Sequence, residues 1–250
     1  MNKITVISRL RNESLVLPDF LNHVDSFCDE AFFFDDCSLD DSVEILEKFP
    51  KTKKILRNYF HESNQSFCQT AQRKVLLDWA RIHAKNEWVL LIEPDERIYF
   101  NFDKLEEYDR QGKNIIYFRL FDSYLTKDNC EPYKQGDNLE NLRKWWGPEM
   151  REIGFLFKKD ANYDIEIPSC RQPQIKNENK IVDGFVKHYG KSISVDQWEE
   201  ACSYYEESVP QLSEKWKSRK GKAIHEQSDF DRDLYEWNQL INNPDLWKKI

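Results

Sequence analysis

Trp88-Val-Leu-Leu-Ile-Glu-Pro-Asp-Glu-Arg97 is the segment around which the chain is organised. Five consecutive apolar residues, the pattern of a strand buried on both faces, lead into carboxylates at Glu93, Asp95 and Glu96. Open α/β sheets bind their ligands beyond the carboxyl ends of the strands. Because carboxylates this close repel one another, they favour a hard cation, Mn²⁺ or Mg²⁺, held between them and a phosphate. The alternative is a solvated acidic turn, since most such turns bind nothing.

The composition predicts a folded, soluble protein. Of the 250 residues 33% are charged, but an aromatic content of 14% argues against disorder. A net charge of −8 is not the basic footprint of a nucleic-acid-binding protein, so we expect no nucleic-acid partner. The sequence shows neither a signal peptide nor an apolar run long enough for a transmembrane segment, and its six cysteines lack zinc-site spacing. We therefore expect a cytoplasmic location with reduced cysteines.

Strands and helices alternate through the first part of the chain. The predicted strands are 4–7, 31–34, 54–56, 88–92, 115–121, 153–157 and 181–188, and the predicted helices before the fourth strand are 15–24, 43–49 and 65–84. Alternation of this kind predicts a parallel, right-handed, doubly wound sheet at the N-terminal end. We expect an α/β domain at 1–194, with a mixed, mainly parallel sheet flanked by helices. A C-terminal helical extension at 195–250 would pack on this domain or extend from it.

Three of the predicted strands end in polar or acidic turns. The candidate binding residues in these turns are Arg9, Asn12, Glu13, Asp35, Asp36, Glu93 and Asp95. Because the carboxyl ends of parallel strands share one edge of a doubly wound sheet, we expect the three turns to converge. The chain has only seven glycines, and neither a GxGxxG fingerprint nor a Walker loop is present. A bound nucleotide would therefore be held by carboxylates, a metal and a base-reading aspartate.

Residues 4–190 resemble the family 2 glycosyltransferases of the GT-A fold, in their bacterial and viral branch. The resemblance rests on Arg11-Asn-Glu13, Asp35-Asp-Cys-Ser-Leu-Asp-Asp-Ser42, Gln72-Arg73, Trp88–Glu96 and His188-Tyr-Gly190. It implies a Rossmann-like GT-A fold and a metal-dependent hexosyltransferase activity. The enzyme would move a sugar from a nucleotide-sugar donor, a UDP-sugar, to a hydroxyl of a glycan, lipid-linked or protein acceptor. A divalent cation would bridge the diphosphate.

The same resemblance implies roles for individual side chains. Asp35 or Asp36 would accept a hydrogen bond from the nucleotide base, and Arg73 would lie near the base or the phosphates. The candidate metal ligands are Asp95, Glu93 and His188. Glu93 stands where the family usually has aspartate, which adds one methylene and leaves open whether it reaches the metal or the ribose.

Acceptor binding and proton transfer require further residues. An inverting transferase needs a general base within hydrogen-bond reach of the acceptor hydroxyl, and the candidates are Glu152, Asp122 and Glu149. Each of them could equally be an ordinary surface carboxylate. Trp145 and Trp146 are candidates for stacking on an acceptor sugar, although aromatic pairs more often pack in a core. The basic run at 217–222 indicates either a solvated surface or a peripheral membrane contact.

Two other functions stay open at this point. A nucleotidyltransferase could use a similar sheet, but the first turn lacks a glycine-rich loop to hold a triphosphate. A non-catalytic nucleotide- or sugar-binding module is the second, favoured by Glu93 and by the lack of an obvious base. The sequence does not identify the sugar, the acceptor, the stereochemical outcome or the oligomeric state.

Overall fold

The computed structural model describes residues 4–62, 65–167 and 170–247, without the side chain of residue 66. The strands are β1 (Ile4–Leu10), β2 (Glu30–Asp36), β3 (Thr52–Asn58), β4 (Trp88–Leu91), β5 (Glu96–Tyr99), β6 (Ile115–Ser123), β7 (Trp145–Lys158), β8 (Lys180–His188) and β9 (Tyr235–Glu236). The helices are α1 (Leu17–Asp25), α2 (Ser42–Lys48), α3 (Gln65–His83), α4 (Leu105–Arg110), α5 (Leu139–Leu142), α6 (Val195–Ser208), α7 (Ser213–Lys217) and α8 (Trp237–Asn242). The two ends of the expected domains, at residues 1 and 250, lie outside the described ranges.

The strands form one mixed sheet in the order β3-β2-β1-β4-β7-β6-β8-β5, and β9 pairs with β7. The pairs β1–β2, β1–β4 and β2–β3 are parallel, as the alternation of strands and helices predicted. From β4 onward the sheet is mixed, because β7 is antiparallel to β4 and β6 whereas β8 is parallel to β6. The predicted α/β class, with a mixed sheet flanked by helices, is confirmed.

The central strands read as continuous apolar runs because both faces of the sheet are covered. Phe33 of β2 packs into a core with Leu17 of α1 and Leu46 of α2. Its neighbour Phe32 points to the other face, into a core with Leu76 of α3. Full burial of such a side chain contributes about 1.5–3 kcal/mol, so the two cores fix which helices lie on which face. This arrangement brings the carboxyl ends of β1, β2 and β4 to one edge.

Two parts of the chain differ from the sequence prediction. Glu96 was expected in an acidic turn, but it begins β5, which runs antiparallel to β8. The turn before it is closed by Glu96 N, which donates to Glu93 O at 3.0 Å. The expected C-terminal helical extension also contains a strand, since β9 pairs with Trp145 and Trp146 of β7. Within the described ranges, no helix has the length and apolarity needed to cross a membrane.

Candidate active site

The turns after β1 and β2 are joined by hydrogen bonds at the carboxyl edge of the sheet. The backbone N–H of Asn12 donates to Ser38 Oγ at 2.9 Å, and the Asn12 side-chain oxygen accepts from the N–H of Leu39 at 2.8 Å. Asn12 has φ 54, in the left-handed region that asparagine tolerates better than most residues. Its side chain therefore holds the two turns in place, which brings Glu13 and the end of β2 at Asp36 to the same edge of the sheet.

Asp36 is fully buried, and one of its two carboxylate oxygens accepts no hydrogen bond from the described residues. Its Oδ1 accepts from Asn58 Nδ2 at 2.9 Å. None of the described residues donates a hydrogen bond to its Oδ2, although Arg9 Nη2 lies 3.7 Å away and His61 Nδ1 3.6 Å away. Asp35, in contrast, is engaged by Arg57 Nε at 3.3 Å and by a backbone N–H. Asp36 Oδ2 thus has two basic neighbours at ion-pair distance and no hydrogen bond, so Asp36 has more capacity than Asp35 to accept a further hydrogen bond.

Glu93 is held by arginines. Its Oε1 forms an ion pair with Nη2 of Arg73, a buried residue of α3 whose Nη1 donates to the carbonyl of Cys170 at 3.0 Å. Burial would raise the pKa of Glu93, but the guanidinium groups of Arg73 and Arg171 hold it well below its usual value. The extra methylene of Glu93 thus reaches an arginine. Since Oε1 of Glu93 is paired with Arg73, only its other oxygen remains available to a metal ion.

Asp95 and His188 are brought together by the pairing of β5 with β8. His188 Nε2 lies 3.1 Å from Asp95 Oδ2, and the N–H of Tyr189 donates to the Asp95 carbonyl at 2.8 Å. A Cβ at Gly190 would lie 2.5 Å from Asp95 Oδ2 and 2.8 Å from His188 Nε2. The His-Tyr-Gly sequence therefore has a steric reason: only glycine leaves the space beside these two ligand atoms free.

The Asp95–His188 pair fits a divalent cation. Mg²⁺ binds its ligands octahedrally at 2.0–2.1 Å, which puts neighbouring ligand atoms about 3 Å apart. The other nitrogen of His188, Nδ1, lies 2.5 Å from Asp122 Oδ1, as in the carboxylate–histidine–metal arrangements that orient an imidazole. Burial would lower the pKa of His188, but Asp95 and Asp122 raise it well above its usual value. Because Nε2 and Oδ2 are also at ion-pair distance, a cation bound here would have to displace the proton from Nε2.

A second acidic group lies behind His188. Asp122, Glu149 and His188 each place a ligand atom within 4.8 Å of the others. This group already contains a cation, because Lys191 Nζ pairs with Asp122 Oδ2 and lies 3.5 Å from Glu149 Oε1 and 2.7 Å from Asp229 Oδ2. Burial would lower the pKa of Lys191, but these carboxylates raise it well above its usual value. The ammonium of Lys191 thus lies between the carboxylates of this group, whereas the Asp95 side of His188 faces the space beside Gly190.

The two buried carboxyl groups beside Lys191 have opposite properties. Burial would raise the pKa of Asp122, but Lys191 and hydrogen bonds from Glu149 and His188 hold it well below its usual value. Burial and the charge of Asp122 raise the pKa of Glu149. Because Glu149 shares a hydrogen bond with the Asp122 carboxylate, Glu149 carries the proton of the pair, and it can act as a base only after that proton has left.

The remaining sequence candidates lie elsewhere. Glu152 is half exposed on β7 and lies 3.7 Å from Arg119 Nε, in a separate cleft of about 470 Å³. Trp146 is only 1% exposed and packs in the core against Tyr189, so its ring has no open face for a sugar. Trp145 donates to Asp128 Oδ2 at 3.2 Å and lines a third cleft. None of the three lines the cleft that contains Asp95. Asp36, Asp122, Glu149 and His188 do not line it either, but His188 contacts Asp95 directly and Asp122 contacts His188.

The cleft at the sheet edge encloses about 270 Å³ and has two walls. One wall comes from the turns and includes Arg9, Glu13, Glu93, Asp95 and Gly190; the other comes from α6 and includes Gln197, Glu200, Ala201, Tyr204 and Tyr205. Burial and the neighbouring charges of Asp95 and Glu93 raise the pKa of Glu13 well above its usual value. The C-terminal extension thus takes part in the site.

Several residues near the site belong to no sequence motif. Arg171, which pairs with the fully buried Glu96, comes from the loop between β7 and β8. His61 has no acidic or cysteine neighbour at metal-ligand spacing in the sequence, yet its Nδ1 lies 3.6 Å from Asp36 Oδ2 in space. Lys191 follows the His-Tyr-Gly motif directly, and that position is the one hint that the sequence offers.

Comparison with known proteins gives a likeness of fold at low identity. No family model matches the sequence, and no curated protein matches it. The crystal structure of S. aureus TarS 1–349 is 14% identical with a TM-score of 0.45, over 82% of this chain and 66% of that one. The complex of TarS 1–349 with UDP is 13% identical with a TM-score of 0.43, over 87% and 71%. The complex with UDP-GlcNAc is 13% identical with a TM-score of 0.42, over 87% and 72%. This chain spans 41% of the longer TarS structure.

Proposed function

We propose that the protein is a glycosyltransferase that moves a sugar from a UDP-sugar to an acceptor hydroxyl, with a divalent cation at Asp95 and His188. The observation that carries this proposal is the placement of two unlike binding groups at the same edge of the sheet. Asp95 and His188 present two ligand atoms 3.1 Å apart beside the space left by Gly190. Asp36, from the neighbouring turn, offers a buried oxygen that lacks a hydrogen bond from any described residue.

The charges of the site suit a nucleoside diphosphate. Asp36 Oδ2 would accept from an N–H at the edge of the base, and Arg9, which lies 3.7 Å from it, would reach toward the phosphates. The cation, when bound, supplies the positive charge that stabilises the departing diphosphate. Asp122 holds the His188 imidazole through the 2.5 Å contact at Nδ1, so that Nε2, on the Asp95 side, would be the atom available to a cation. Arg73 and Arg171 keep the Glu93 turn in place through ion pairs with Glu93 and Glu96.

For the acceptor side we propose Glu149 as the general base. It lies beside Asp122 and Lys191, next to His188, whereas Glu152 lies in another cleft. The raised pKa of Glu149 suits proton acceptance from a hydroxyl, and the lowered pKa of Asp122 does not. Lys191 would stabilise the anionic form of Glu149 before the proton is taken up.

Isothermal titration of UDP with and without Mn²⁺ tests the donor site. We expect Mn²⁺-dependent binding that is lost in Asp95→Ala and kept in Asp160→Ala, the same substitution at an exposed aspartate. Metal-independent binding, or equal binding by both variants, would contradict the assignment of Asp95.

Release of UDP from a panel of UDP-sugars tests for chemistry. We expect one of them to be hydrolysed slowly without an acceptor, and Asp95→Ala to abolish that release. A protein that binds UDP with Mn²⁺ but releases it from no nucleotide-sugar would instead be a non-catalytic binding module.

A further inference from the structure

The helix α6 presents two adjacent tyrosines to the donor cleft. Tyr204 and Tyr205 line the cleft together with Arg9 and Asp95 of the sheet edge. The ring of Tyr205 stacks on Trp216 of α7, with centroids 4.7 Å apart and planes 18° apart. Tyr204 packs edge-on against Tyr205 at 5.2 Å. The aromatic chain from α7 therefore holds the Tyr204 ring in position at the cleft.

Tyr204 is in contact with the group of residues that surrounds Asp36. The guanidinium of Arg11 lies 5.5 Å from the centre of the Tyr204 ring, and the His61 ring lies 6.0 Å from it. Arg11 Nη1 is hydrogen-bonded to His61 Nε2 at 2.7 Å. The other nitrogen of His61, Nδ1, lies 3.6 Å from Asp36 Oδ2. A single imidazole thus separates the Tyr204 ring from the proposed base-reading carboxylate.

Two buried polar atoms at this position have no hydrogen-bond partner in the described ranges. They are Asp36 Oδ2 and His61 Nδ1, and the 3.6 Å between them is too long for a hydrogen bond. Buried polar atoms in native proteins are nearly always paired, by the protein, by water or by a ligand. Tyr204 and Arg11 line the cleft, and the His61–Asp36 ion pair lies directly beside them, so this end of the cleft is suited to a planar ring with polar edges.

We infer that α6 completes the donor site, with the Tyr204 ring stacking on the nucleotide base while Asp36 and His61 bind its edge. This inference rests on the proposed function and assigns a role to the C-terminal extension. Stacking of an aromatic ring on a base is worth about 1–3 kcal/mol, which corresponds to a five- to 150-fold change in affinity. Because every base has a flat face, Tyr204 provides affinity, and selectivity among bases comes from the polar edge.

Isothermal titration with two probes separates base binding from phosphate binding. The probes are UDP and inorganic pyrophosphate, each in the presence of Mn²⁺. We expect Tyr204→Ala to weaken UDP binding at least tenfold and to leave pyrophosphate binding within twofold of wild type. Tyr204→Phe, which keeps the ring, should bind both probes as wild type does. Tyr235→Ala, at a partly buried tyrosine that lines another cleft, serves as the matched control.

Three results would overturn the inference. Unchanged UDP binding by Tyr204→Ala would mean that the ring does not touch the base, and tighter binding would mean that it occupies the place of the base. Equal loss of both probes in Tyr204→Ala would mean that the residue only supports the fold of the cleft. Failure of the proposed function itself would be seen in the wild type, as absence of binding for both probes.

Discussion

Nε2 of His188 and Oδ2 of Asp95 lie 3.1 Å apart, facing each other where β5 pairs with β8. The register of these strands, which sets Glu96 opposite His188, carries Asp95 to the imidazole from the turn before β5. The contact is therefore a consequence of the antiparallel end of the sheet. The parallel turns after β1 and β2 contribute Glu13 and Asp36 to the same edge.

Gly190→Ala should weaken cation binding without changing either ligand. The new Cβ would lie 2.5 Å from Asp95 Oδ2 and 2.8 Å from His188 Nε2, so both side chains would have to move apart. We expect Mn²⁺ affinity, measured by titration calorimetry, to fall at least tenfold. The fold should persist, because the obstacle is a side-chain contact.

A second glycine provides the control for that change. Gly136→Ala meets no atom within 4 Å but is strained by its φ of +98. We expect it to lower the melting temperature and to leave Mn²⁺ binding intact. The reverse ranking of the two variants in Mn²⁺ affinity would contradict a cation site beside Gly190.

Substitution of Asp36 should weaken UDP binding, whereas substitution of Asp35 should lower stability. Asp36→Asn removes the carboxylate charge beside Arg9 and His61 and an oxygen that accepts no hydrogen bond from the described residues, and we expect at least tenfold weaker UDP binding with pyrophosphate binding retained. Asp35→Asn breaks the 3.3 Å ion pair with Arg57, so we expect mainly a lower stability in urea unfolding. If Asp35→Asn removed UDP binding and Asp36→Asn did not, the base-reading role would belong to Asp35.

The sequence predicts those residues of the candidate site that stand at the end of a strand or in the turn directly after it. Asp36 and Asp95 follow buried apolar runs, and the parallel order of β1, β2 and β4 brings their turns together. His61, Arg171 and Lys191 could not be placed in this way. They come from loops or from the antiparallel part of the sheet, where the neighbours of a strand depend on long-range pairing and leave no local pattern.

The tryptophan pair also depends on long-range packing that the local sequence does not reveal. Trp145 and Trp146 are adjacent on β7, so the pleat points them to opposite faces. Which face is open depends on β9 and α8, which return from the C-terminal end of the chain to cover Trp146. Composition identified the aromatic pair, but only the packing of the C-terminal end decides that Trp146 belongs to the core.

Lys191→Met should turn the acidic group behind His188 into a second cation site. The substitution leaves Asp122, Glu149 and Asp229 without their shared ammonium, and loss of one partner from a buried ion pair costs about 3–5 kcal/mol. Because Asp122, Glu149 and His188 still place ligand atoms within 4.8 Å, Mn²⁺ should restore part of the lost stability. We expect Mn²⁺ to raise the melting temperature of this variant more than that of wild type. In Lys220→Met, which removes a half-exposed lysine paired with Glu206, the Mn²⁺ effect should equal that of wild type.

His23 should make the stability of the protein depend on pH. Its Nε2 accepts from the N–H of Ile98 at 2.9 Å, while burial and the charge of Arg97 lower its pKa from 6.5 to about 4. Between these two pH values the unfolded chain binds a proton at His23 and the folded chain does not. The free energy of unfolding therefore falls as the pH falls through this window, and the contribution is fully present above pH 6.5.

The size of that loss can be measured against a variant that cannot titrate. Protonation of His23 in the unfolded chain lowers the free energy of unfolding by about 1.4 kcal/mol for each pH unit below the unfolded pKa. At pH 5 the free energy of unfolding is therefore lower by about 2 kcal/mol. His23→Gln keeps an acceptor for the Ile98 N–H and should lose less stability than wild type between pH 7.5 and pH 5 in urea unfolding. His83→Gln, at an exposed histidine, should follow wild type. If His23→Gln instead lost as much stability as wild type over the same interval, protonation of another group would have to explain the acid sensitivity.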